Sequence, residues 1–429
     1  MIDLLVSNAS ELVTARTAPR GAVGAAALRA LEVVADGAVA IDKGRIVDVG
    51  PTRVLRRRHR ARKTLDARGK LVTPGLVDCH SHLVFAGSRH VEYEQLVTGE
   101  AIPGKRLEGG IRYTVARTRA ATVAGLAAQA RRDLDLMLAH GTTTVEVKTG
   151  YGLDRDTELR MLRVIHGLRR HTVDVVATYL GAHVLPAEYA GRRDAYVQLV
   201  IDTLPAARKW AEYCDVWCDT IAFTAAETER IASAARALGF RLRFHADQVG
   251  DARGAELAAR LGASSADHLD NVSGAGIDAL AASGVVGVLL PGVTYHMMEM
   301  TPKVEHGVLV PAAKAFWPAL VRRMIERGMR LALSADYNPG TSPTVSMQSV
   351  MQLAARLYRL GYAEIWHMVT INAAHALDRA ADRGSLEAGK RADVVVWRVP
   401  EHDMVINRFG TNLADTVVKD GRVAWRADG

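Results

Sequence analysis

The chain of 429 residues has the composition of a globular protein, with 49% hydrophobic and 24% charged residues and a net charge of +8. This composition excludes disordered and collagen-like chains, and no apolar run approaches the about 18 residues that a membrane-spanning helix needs. The one dense basic run, at residues 53–63, contains no aromatic residue on which a base could stack. We therefore expect a solvated surface there, no nucleic-acid partner and no membrane partner.

The amino terminus and the cysteines predict a cytoplasmic protein. The first residues, MIDLLVSNASELV, lack the positive and continuous apolar segments of a signal peptide. Cys79, Cys214 and Cys218 match neither a zinc ribbon nor a redox CxxC motif, and reduced thiols are typical of the cytoplasm. The length accommodates one barrel of about 250 residues and a smaller unit.

Both ends of the chain are predicted to form short β-strands. Two strand-like runs flank an Asp-Lys-Gly sequence at residues 42–44, which is typical of a hairpin turn. The stretch from Gly384 onward has the same texture and contains a second such turn, at residues 419–421. We predict that residues 1–70 and 376–429 together form one small β-sandwich, which requires the segment between them to be a closed body.

Residues 71–375 alternate strand-like apolar runs with helical stretches such as 123–139 and 227–238. The runs are LVTPGLVDCH, TTTVEVK, VDVVATYLGAH, CDVWCDTIAF, LRFHADQV, SADHLD, VVGVLLPG and LALSADYN. Eight such alternations predict an α/β fold, a (β/α)8 barrel. Polar residues stand at the ends of these runs, namely His80, Lys148, His183, Thr224, His245, His268, Thr294 and Asp336. The active sites of such barrels lie at the C-terminal strand ends, so we expect the chemistry there.

The strand ends supply a set of metal ligands. His80 and His82 are two residues apart, so on a strand their imidazoles point to the same face and can reach one ion. His245 and Asp336 end two other runs. Three imidazoles and a carboxylate that leave one position for water are typical of a hydrolytic metal site. His268 would then hold that water by a hydrogen bond.

Lys148, in EVKTGYG, admits two interpretations. A carboxylated lysine at a strand end could bridge two metal ions. Otherwise a lysine at this place is a charge partner or a substrate contact, and we favour this second interpretation and a single metal ion.

Longer segments carry a specific resemblance. They are VTPGLVDCHSHLVFAGSRHVEYEQLVTGE, EGGIRYTVARTRAA, VKTGYGL, TYLGAHVLPAEY, FHADQ, SADHLD and SADYNPGTSPT. With these segments the chain resembles the imidazolonepropionases, the histidine-degradation family of the amidohydrolase superfamily. GSLEAGKRADVVVW is shared across the superfamily and supports the fold alone, whereas VKTGYGL and YNPGTSPT point to this family.

The resemblance implies hydrolysis of 4-imidazolone-5-propanoate to N-formimino-L-glutamate with one divalent or trivalent metal ion, zinc or iron. It also implies a small anionic heterocyclic substrate and a homodimer. The implied metal ligands are His80, His82, His245 and Asp336. The implied substrate contacts are Arg89, Tyr151, His183, Gln248, Asn338, Gly340 and Thr341.

The chemistry of these residue types indicates their roles. Asp336 can take the proton of the water and return it to the leaving ring nitrogen, while His268 orients the water. His183 or the metal would polarise the ring carbonyl and stabilise the oxyanion. Arg89 offers a planar charged fork that matches the propanoate carboxylate. Gln248 stands where some family members carry glutamate, and a glutamine cannot act as a base.

Two alternatives stay open. Another cyclic amidohydrolase, or a deaminase of amino-heterocycles, would keep the same metal ligands and differ in how the substrate is held. The pairing of Arg89 with Tyr151 and the loop YNPGTSPT argue for a ring with an acidic tail. A metal-binding protein without catalysis is the other alternative, and it would not need a proton acceptor such as Asp336.

Overall fold

The structure, a computed structural model, describes residues 1–17, 21–98, 109–296 and 311–428. Its strands are β1 Ile2–Val13, β2 Val33–Asp42, β3 Arg45–Pro51, β4 Ala61–Asp66, β5 Leu71–Pro74, β6 Leu76–Asp78, β7 Thr142–Lys148, β8 Asp174–Ala182, β9 Tyr213–Cys218, β10 Arg241–Ala246, β11 Ser265–His268, β12 Val286–Leu289, β13 Arg330–Leu333, β14 Val394–Trp397, β15 Ala414–Lys419 and β16 Arg422–Arg426. Its α-helices are α1 Thr52–Arg58, α2 His90–Thr98, α3 Ile111–Ala120, α4 Val123–Ala139, α5 Arg155–Leu168, α6 Arg193–Ala207, α7 Ala225–Ala237, α8 Gly254–Leu261, α9 Gly274–Ser283, α10 Pro291–His296, α11 Pro311–Glu326, α12 Met347–Tyr358, α13 Tyr362–Met368, α14 Ile371–Ala376 and α15 His402–Asn407.

One mixed sheet joins the two ends of the chain. Its strand order is β16-β15-β14-β5-β1-β2-β3, and β4 pairs with β1 beside this path. Strand β5 pairs in parallel with β1 and antiparallel with β14, so it connects the amino-terminal strands to the carboxy-terminal ones. The two halves share one hydrophobic core, with Val6 and Ile41 from the first and Val396 and Val418 from the second. The predicted small β unit from both termini is confirmed, and it is built around one mixed sheet.

The two predicted Asp-Lys-Gly and Lys-Asp-Gly sequences form hairpin turns. Lys43 and Gly44, between the antiparallel strands β2 and β3, have φ angles of 48° and 77°. Asp420 and Gly421, between β15 and β16, have φ angles of 48° and 75°. Positive φ at both central residues is what a tight two-residue hairpin of this kind requires, and the glycine adopts it without strain.

The second sheet is the predicted barrel. Its eight parallel strands follow chain order from β6 to β13, one from each predicted apolar run. Strands β7, β11 and β12 are buried along their whole length, because helices cover the outside of the barrel and side chains fill its interior. The N–H of Asp336 donates to the carbonyl of His80 at 3.0 Å, and the N–H of His82 donates to that of Tyr337 at 2.9 Å. These bonds close the barrel at the end where the polar residues stand.

Local signals set the starts of several barrel helices. The hydroxyl of Thr224 accepts from the N–H of Glu227, whose carboxylate accepts from the N–H of Thr224, so α7 begins with a capping box. Asp154 and Ser273 cap α5 and α9 with their side-chain oxygens. Helix α4 has the bounds that the sequence predicts, and α7 begins two residues before its prediction. Among the described helices, none has the length and apolar character to cross a membrane.

A buried lysine ties the terminal sheet to the barrel. The side chain of Lys419, at the end of β15, is 3% exposed, and its Nζ lies 2.8 Å from Oδ2 of Asp393 and 2.6 Å from Oδ2 of Asp174. Asp174 is the first residue of the barrel strand β8. Because a buried charge is costly without a partner, these ion pairs favour one orientation of the sheet on the barrel.

We expect Lys419→Met to lower the free energy of unfolding by about 3–5 kcal/mol, because it leaves Asp393 buried without its cation. Arg422→Ala, at an exposed position of β16, is the matched control and should change this free energy by less than about 0.5 kcal/mol. Chemical denaturation followed by circular dichroism measures both. Equal effects of the two substitutions would contradict a structural role of the ion pair.

Candidate active site

Four imidazoles and one carboxylate converge at the C-terminal end of the barrel. His80 and His82 follow β6, His245 lies in β10, His268 ends β11 and Asp336 follows β13. The ring centroid of His80 lies 5.5 Å from that of His82, 4.5 Å from that of His245 and 5.5 Å from that of His268. The structure thus brings together all the residues that the sequence predicts as metal ligands, along with the histidine predicted to hold water.

The polar atoms of these side chains lie close to one another. Oδ1 of Asp336 is 3.5 Å from Nε2 of His80 and 3.4 Å from Nε2 of His82. The Nε2 atoms of His82 and His245 are 3.4 Å apart. Nε2 of His80 and Oδ1 of Asp336 are buried and have no hydrogen-bond partner within the described part of the chain. Buried imidazole nitrogens and carboxylate oxygens that lack hydrogen-bond partners in the protein are suited to coordinate a metal ion.

Burial favours the neutral form of the imidazoles, which is the form that binds a metal ion. Burial holds the pKa of His80, His82 and His268 well below the usual value for histidine, so the imidazoles are neutral and carry a free lone pair. Burial also raises the pKa of the Asp336 carboxyl, and the positive charge of Lys148 opposes this shift. A bound cation would likewise lower the pKa of this carboxyl.

Two of these residues have a left-handed backbone conformation. The φ angle is 48° at Asp336 and 77° at His268, a region that residues other than glycine rarely adopt. The hydrogen bond from the N–H of Asp336 to the carbonyl of His80 holds the first, and the bond from the N–H of Leu269 to the carbonyl of Ala246, at 3.0 Å, holds the backbone after the second. Such conformations persist where the surrounding structure imposes them, and they cluster at functional sites.

Lys148 is the last residue of β7 and is fully buried. Its Nζ lies 2.9 Å from Oε1 of Glu146 and 2.7 Å from Oδ2 of Asp215. A third carboxylate oxygen, Oδ2 of Asp267, is 3.7 Å from Nζ. The ammonium group is therefore a charge partner of three carboxylates, as in the second interpretation of the sequence.

His183 and Tyr151 lie against the ring of one ligand candidate, His82, and Trp217 lies against His183. The ring of His183 stacks on that of His82 with centroids 5.0 Å apart, and the ring of Tyr151 lies 5.4 Å from His82. Nδ1 of His183 is 3.0 Å from the carbonyl oxygen of Gly150, so Nδ1 carries the proton. Burial lowers the pKa of His183 to about 3, which leaves the ring neutral and its Nε2 an acceptor. Sequence reasoning did not single out Trp217, whose ring lies 5.6 Å from that of His183.

Arg89 packs against the loop that follows β13. Its guanidinium lies so close to Gly340 that a Cβ added to this glycine would be 2.0 Å from Nη1 of Arg89. Asn338 shapes the loop, because its Oδ1 accepts from the N–H groups of Gly340 at 2.9 Å and Thr341 at 2.8 Å. Four of the predicted substrate contacts are thus brought together.

The guanidinium of Arg89 is paired with Glu92. Nε of Arg89 donates to Oε2 of Glu92 at 3.1 Å, and Nη2 donates to the other oxygen. Burial raises the pKa of the Tyr151 phenol, the carboxyl of Asp336 adds to this shift and the charge of Arg89 opposes it. The charge of Arg89 therefore acts on the phenol, and its guanidinium lies against the loop that follows Asp336.

Gln248 lies two residues beyond β10. Its N–H donates to Oδ2 of Asp219 at 2.8 Å, and its carbonyl accepts from Nδ2 of Asn271 at 2.6 Å. These bonds hold the backbone of Gln248 on the loops at the C-terminal end of the barrel.

Comparison with known proteins identifies the family. The sequence model of the Amidohydrolase family matches residues 71–424, and that of the Imidazolonepropionase-like composite domain of bacteria matches residues 37–61. An imidazolonepropionase from Alkaliphilus metalliredigens is 40% identical over 430 residues, which covers 99% of this chain and 98% of the relative. One from Geobacillus kaustophilus is 41% identical over 432 residues, with coverage of 99% and 98%. The chain belongs to the imidazolonepropionase family.

Solved structures share the fold of this family member at lower identity. An adenosine deaminase from Xanthomonas campestris with bound zinc has a TM-score of 0.67 and 21% identity, covering 98% of this chain and 92% of that one. Guanine deaminase from E. coli has a TM-score of 0.69 and 15% identity, covering 99% and 100%. These structures support the fold alone. Membership of the imidazolonepropionase family makes the chain a hydrolase that acts on a cyclic amide C–N bond.

Sequence reasoning missed the carboxylates behind the imidazoles. Oδ2 of Asp267 is 2.6 Å from Nδ1 of His80, and Oδ2 of Asp215 is 3.1 Å from Nδ1 of His245. A signal for them was present, because both are charged residues inside strands of the predicted barrel, and these strands are almost entirely buried. A charged residue at such a position needs a partner in the barrel interior.

We expect zinc to stabilise the wild-type chain and not His80→Ala/His82→Ala, which lacks two of the candidate ligands. Free zinc at about 100 times its Kd adds about 2.7 kcal/mol of stability. Thermal unfolding before and after metal removal by a chelator, and after metal return, measures the effect. His166→Ala, at an exposed position of α5, should respond like the wild type. A zinc response retained by the double variant would exclude these two histidines as ligands.

Proposed function

We propose that the chain is an imidazolonepropionase, which hydrolyses the ring C–N bond of 4-imidazolone-5-propanoate to N-formimino-L-glutamate. Membership of the family supports this reaction. At the site itself, the proposal depends on one observation, the charged fork of Arg89 against the loop that follows Asp336, which belongs to a cluster of imidazoles and a carboxylate. The cluster suits hydrolysis, and the fork suits the acidic tail of a small heterocyclic substrate.

One zinc or iron ion would bind to His80, His82, His245 and Asp336. When bound, it lowers the pKa of water from about 15.7 to about 7 and polarises a carbonyl oxygen, which provides hydroxide and stabilises developing negative charge. Imidazole and carboxylate ligands suit both metals. The ion pairs of Lys148 support a single ion, because a bridging role would require its amine to leave Glu146 and Asp215.

Asp336 and His268 act on the water molecule that attacks the substrate. The carboxylate of Asp336 accepts this proton during attack on the ring carbonyl carbon and returns it to the ring nitrogen that leaves. Both ring nitrogens of His268 are buried and lack a hydrogen-bond partner in the described chain, so they are available to the water. His268 therefore orients the nucleophile.

His183 binds the substrate ring as a hydrogen-bond acceptor. Its Nδ1 proton is committed to the carbonyl of Gly150, so Nε2 presents a lone pair to a ring N–H of the imidazolone. This differs from the expectation that His183 polarises the ring carbonyl, because a neutral imidazole protonated on Nδ1 cannot donate from Nε2. Tyr151 stays protonated because burial raises the pKa of its phenol, and it can donate to the substrate instead.

Arg89 binds the propanoate carboxylate. A guanidinium is always charged and offers two parallel N–H donors to a carboxylate. Contact with Gly340 sets the direction of the fork, and the substrate replaces Glu92 on it. Asn338 contributes by shaping the loop, whereas Gly340 and Thr341 offer the backbone that the substrate approaches.

Gln248 contributes hydrogen bonds and no proton transfer. An amide has donors and an acceptor but no titratable proton near neutral pH. Asp336 is then the proton acceptor of the reaction, and a glutamate at position 248 is not required.

The family resemblance also supports a homodimer and a cytoplasmic location as parts of this proposal.

Within one chain we propose two domains. The first consists of residues 1–70 together with 376–429, and the second consists of residues 71–375. Strand β5, at Leu71–Pro74, pairs with terminal strands just beyond the first of these boundaries.

Ultraviolet-monitored turnover of freshly generated 4-imidazolone-5-propanoate tests the proposal, with wild type and Arg89→Ala at matched metal content. We expect turnover by the wild type and a loss of kcat/KM of roughly 100-fold in the variant, because truncating one partner of a buried charge pair costs about 2–5 kcal/mol. Arg57→Ala, on the exposed face of α1, is the control and keeps kcat/KM.

No turnover by metal-loaded wild type would exclude this reaction, and the same assay with other cyclic amides and amino-heterocycles would examine the alternatives. If Arg89→Ala lost as much activity toward a ring without the carboxylate, the clamp would be excluded while the reaction stood.

Gly340→Ala tests the contact that directs the fork. The added Cβ would lie 2.0 Å from Nη1 of Arg89, so the guanidinium must move. We expect KM to rise about tenfold, equivalent to about 1.4 kcal/mol, with a smaller change in kcat. Gly167→Ala in α5, where an added Cβ meets nothing within 4 Å, is the matched control for steady-state kinetics. An unchanged KM in Gly340→Ala would show that binding does not need this direction.

A further inference from the structure

Two of the proposed metal-binding histidines lie against buried carboxylates. Nδ1 of His245 is 3.1 Å from Oδ2 of Asp215, and the backbone N–H of His245 donates to Oδ1 of Asp215 at 3.1 Å. Nδ1 of His80 is 2.6 Å from Oδ2 of Asp267. The contact of His80 is a hydrogen bond, whereas that of His245 is a close ion-pair contact without an aligned hydrogen bond. In both pairs Nδ1 is the nitrogen next to the carboxylate, so Nε2 is the nitrogen that faces the cluster.

Lys148 lies behind the carboxylate of Asp215. Its Nζ is 2.7 Å from Oδ2 of Asp215 and 2.9 Å from Oε1 of Glu146, and all three side chains are fully buried. A carboxylate at this depth stays charged and in place only with a cation beside it. His245, Asp215 and Lys148 therefore form a continuous chain into the barrel interior, the His245 arm.

Arg243 is the cation beside Asp267, as Lys148 is the cation beside Asp215. Its Nη2 is 3.1 Å from Oδ2 of Asp267 and donates to the carbonyl of Cys79, the residue before His80, at 2.7 Å. Both side chains are fully buried. The guanidinium therefore holds the carboxylate and the backbone on which the imidazole is mounted. His80, Asp267 and Arg243 form the second chain, the His80 arm.

We propose that Lys148 and Arg243 are positioning residues of the metal site, each acting through the carboxylate of its arm. The carboxylate accepts the Nδ1 proton of the imidazole and so selects the tautomer whose Nε2 lone pair faces the metal. The cation holds that carboxylate in its orientation through the ion pair. This inference rests on the metal site of the proposed function.

His82 and His268 have no comparable support. Nδ1 of His82 and both ring nitrogens of His268 are buried without a hydrogen-bond partner in the ranges that the structure describes. Nδ1 of His245 also lacks an aligned hydrogen bond there, but unlike them it has a carboxylate oxygen, Oδ2 of Asp215, at 3.1 Å. The rigid part of the site is therefore provided by the two arms. Damage to an arm weakens metal binding even though its cation does not touch the ion.

Zinc affinity, measured by competition with a chromophoric chelator, tests the His245 arm. We expect Asp215→Asn and Lys148→Gln each to weaken zinc binding about 10- to 100-fold. The double variant should bind zinc about as weakly as Asp215→Asn alone, because Nζ of Lys148 is 2.7 Å from Asp215 and only 3.7 Å from Asp267, so Lys148 acts mainly through Asp215. Independent effects would multiply. The double variant also removes both charges together, which leaves no unpaired charge between these two residues and favours folding.

Asp393→Asn is the matched control. It removes one partner of the buried ion pair with Lys419 in the terminal sheet, so it reproduces the loss of stability at a distance from the site. We expect it to keep the zinc affinity of the wild type within about twofold, since distant sites act independently.

Proton NMR of the cobalt(II)-substituted protein reports the tautomers directly. An imidazole bound through Nε2 to cobalt(II) gives a strongly shifted, solvent-exchangeable signal from its Nδ1–H. We expect Asp215→Asn to displace the signal of His245 and Asp267→Asn to displace that of His80. Asp393→Asn should leave both signals in place, because a loss of stability alone does not move them.

The outcomes separate this inference from the proposed reaction. Zinc affinities and cobalt spectra of the arm variants that match those of Asp393→Asn would overturn the inference and leave the reaction standing. Multiplied losses in the double variant would overturn the route from Lys148 through Asp215. Weakened metal binding in the arm variants, with no turnover by metal-loaded wild type, would support the inference and exclude the reaction. Wild type that binds no metal would overturn both.

Discussion

Closure of the barrel at its C-terminal end is the constraint on which the site depends. Backbone hydrogen bonds from Asp336 to His80 and from His82 to Tyr337 join the segments that follow the last and first strands. They impose the left-handed conformation of Asp336 and set its carboxylate beside the two imidazoles. Side chains held by strand ends keep their positions more accurately than side chains on long loops, because the strand ladder fixes the backbone that carries them. The geometry of the cluster is therefore a property of the whole barrel.

Closure also removes water, and this one cause acts on every charged group inside. Desolvation lowers the pKa of His80 and His82, which makes them neutral ligands, and it raises the pKa of Asp336, which makes this residue a better proton acceptor. The same desolvation requires other buried charges to pair. Lys148 and Arg243 meet this requirement with three carboxylates, two of which face imidazoles. The pairs that stabilise the interior thus lie where they can also orient the metal ligands.

The sequence predicts the parts of the fold and site whose signals are local. Apolar runs, hairpin turns and polar residues at strand ends are read from a few neighbouring positions, which is why all eight barrel strands and the cluster of His80, His82 and Asp336 could be foreseen. The orientation of individual side-chain donors and acceptors could not be predicted from such local signals. The direction of the Nδ1–H of His183 depends on a carbonyl of another loop, and it decides whether this ring donates or accepts. The choice between the two interpretations of Lys148 likewise depends on a carboxylate from a different strand.

The pairing of Arg89 with Glu92 makes substrate selection a competition between two carboxylates. The side chain of Glu92 is 31% exposed and that of Arg89 is 13% exposed, so the glutamate can return to water while the guanidinium stays in place. A partly exposed pair contributes only about 0–1 kcal/mol, so a substrate carboxylate that is better desolvated gains by replacing it. A neutral ring gains nothing from the guanidinium and leaves Glu92 bound to it. In the proposed reaction, the preference for an acidic tail therefore depends on the difference in free energy between two ion pairs, that of Arg89 with the substrate carboxylate and that of Arg89 with Glu92.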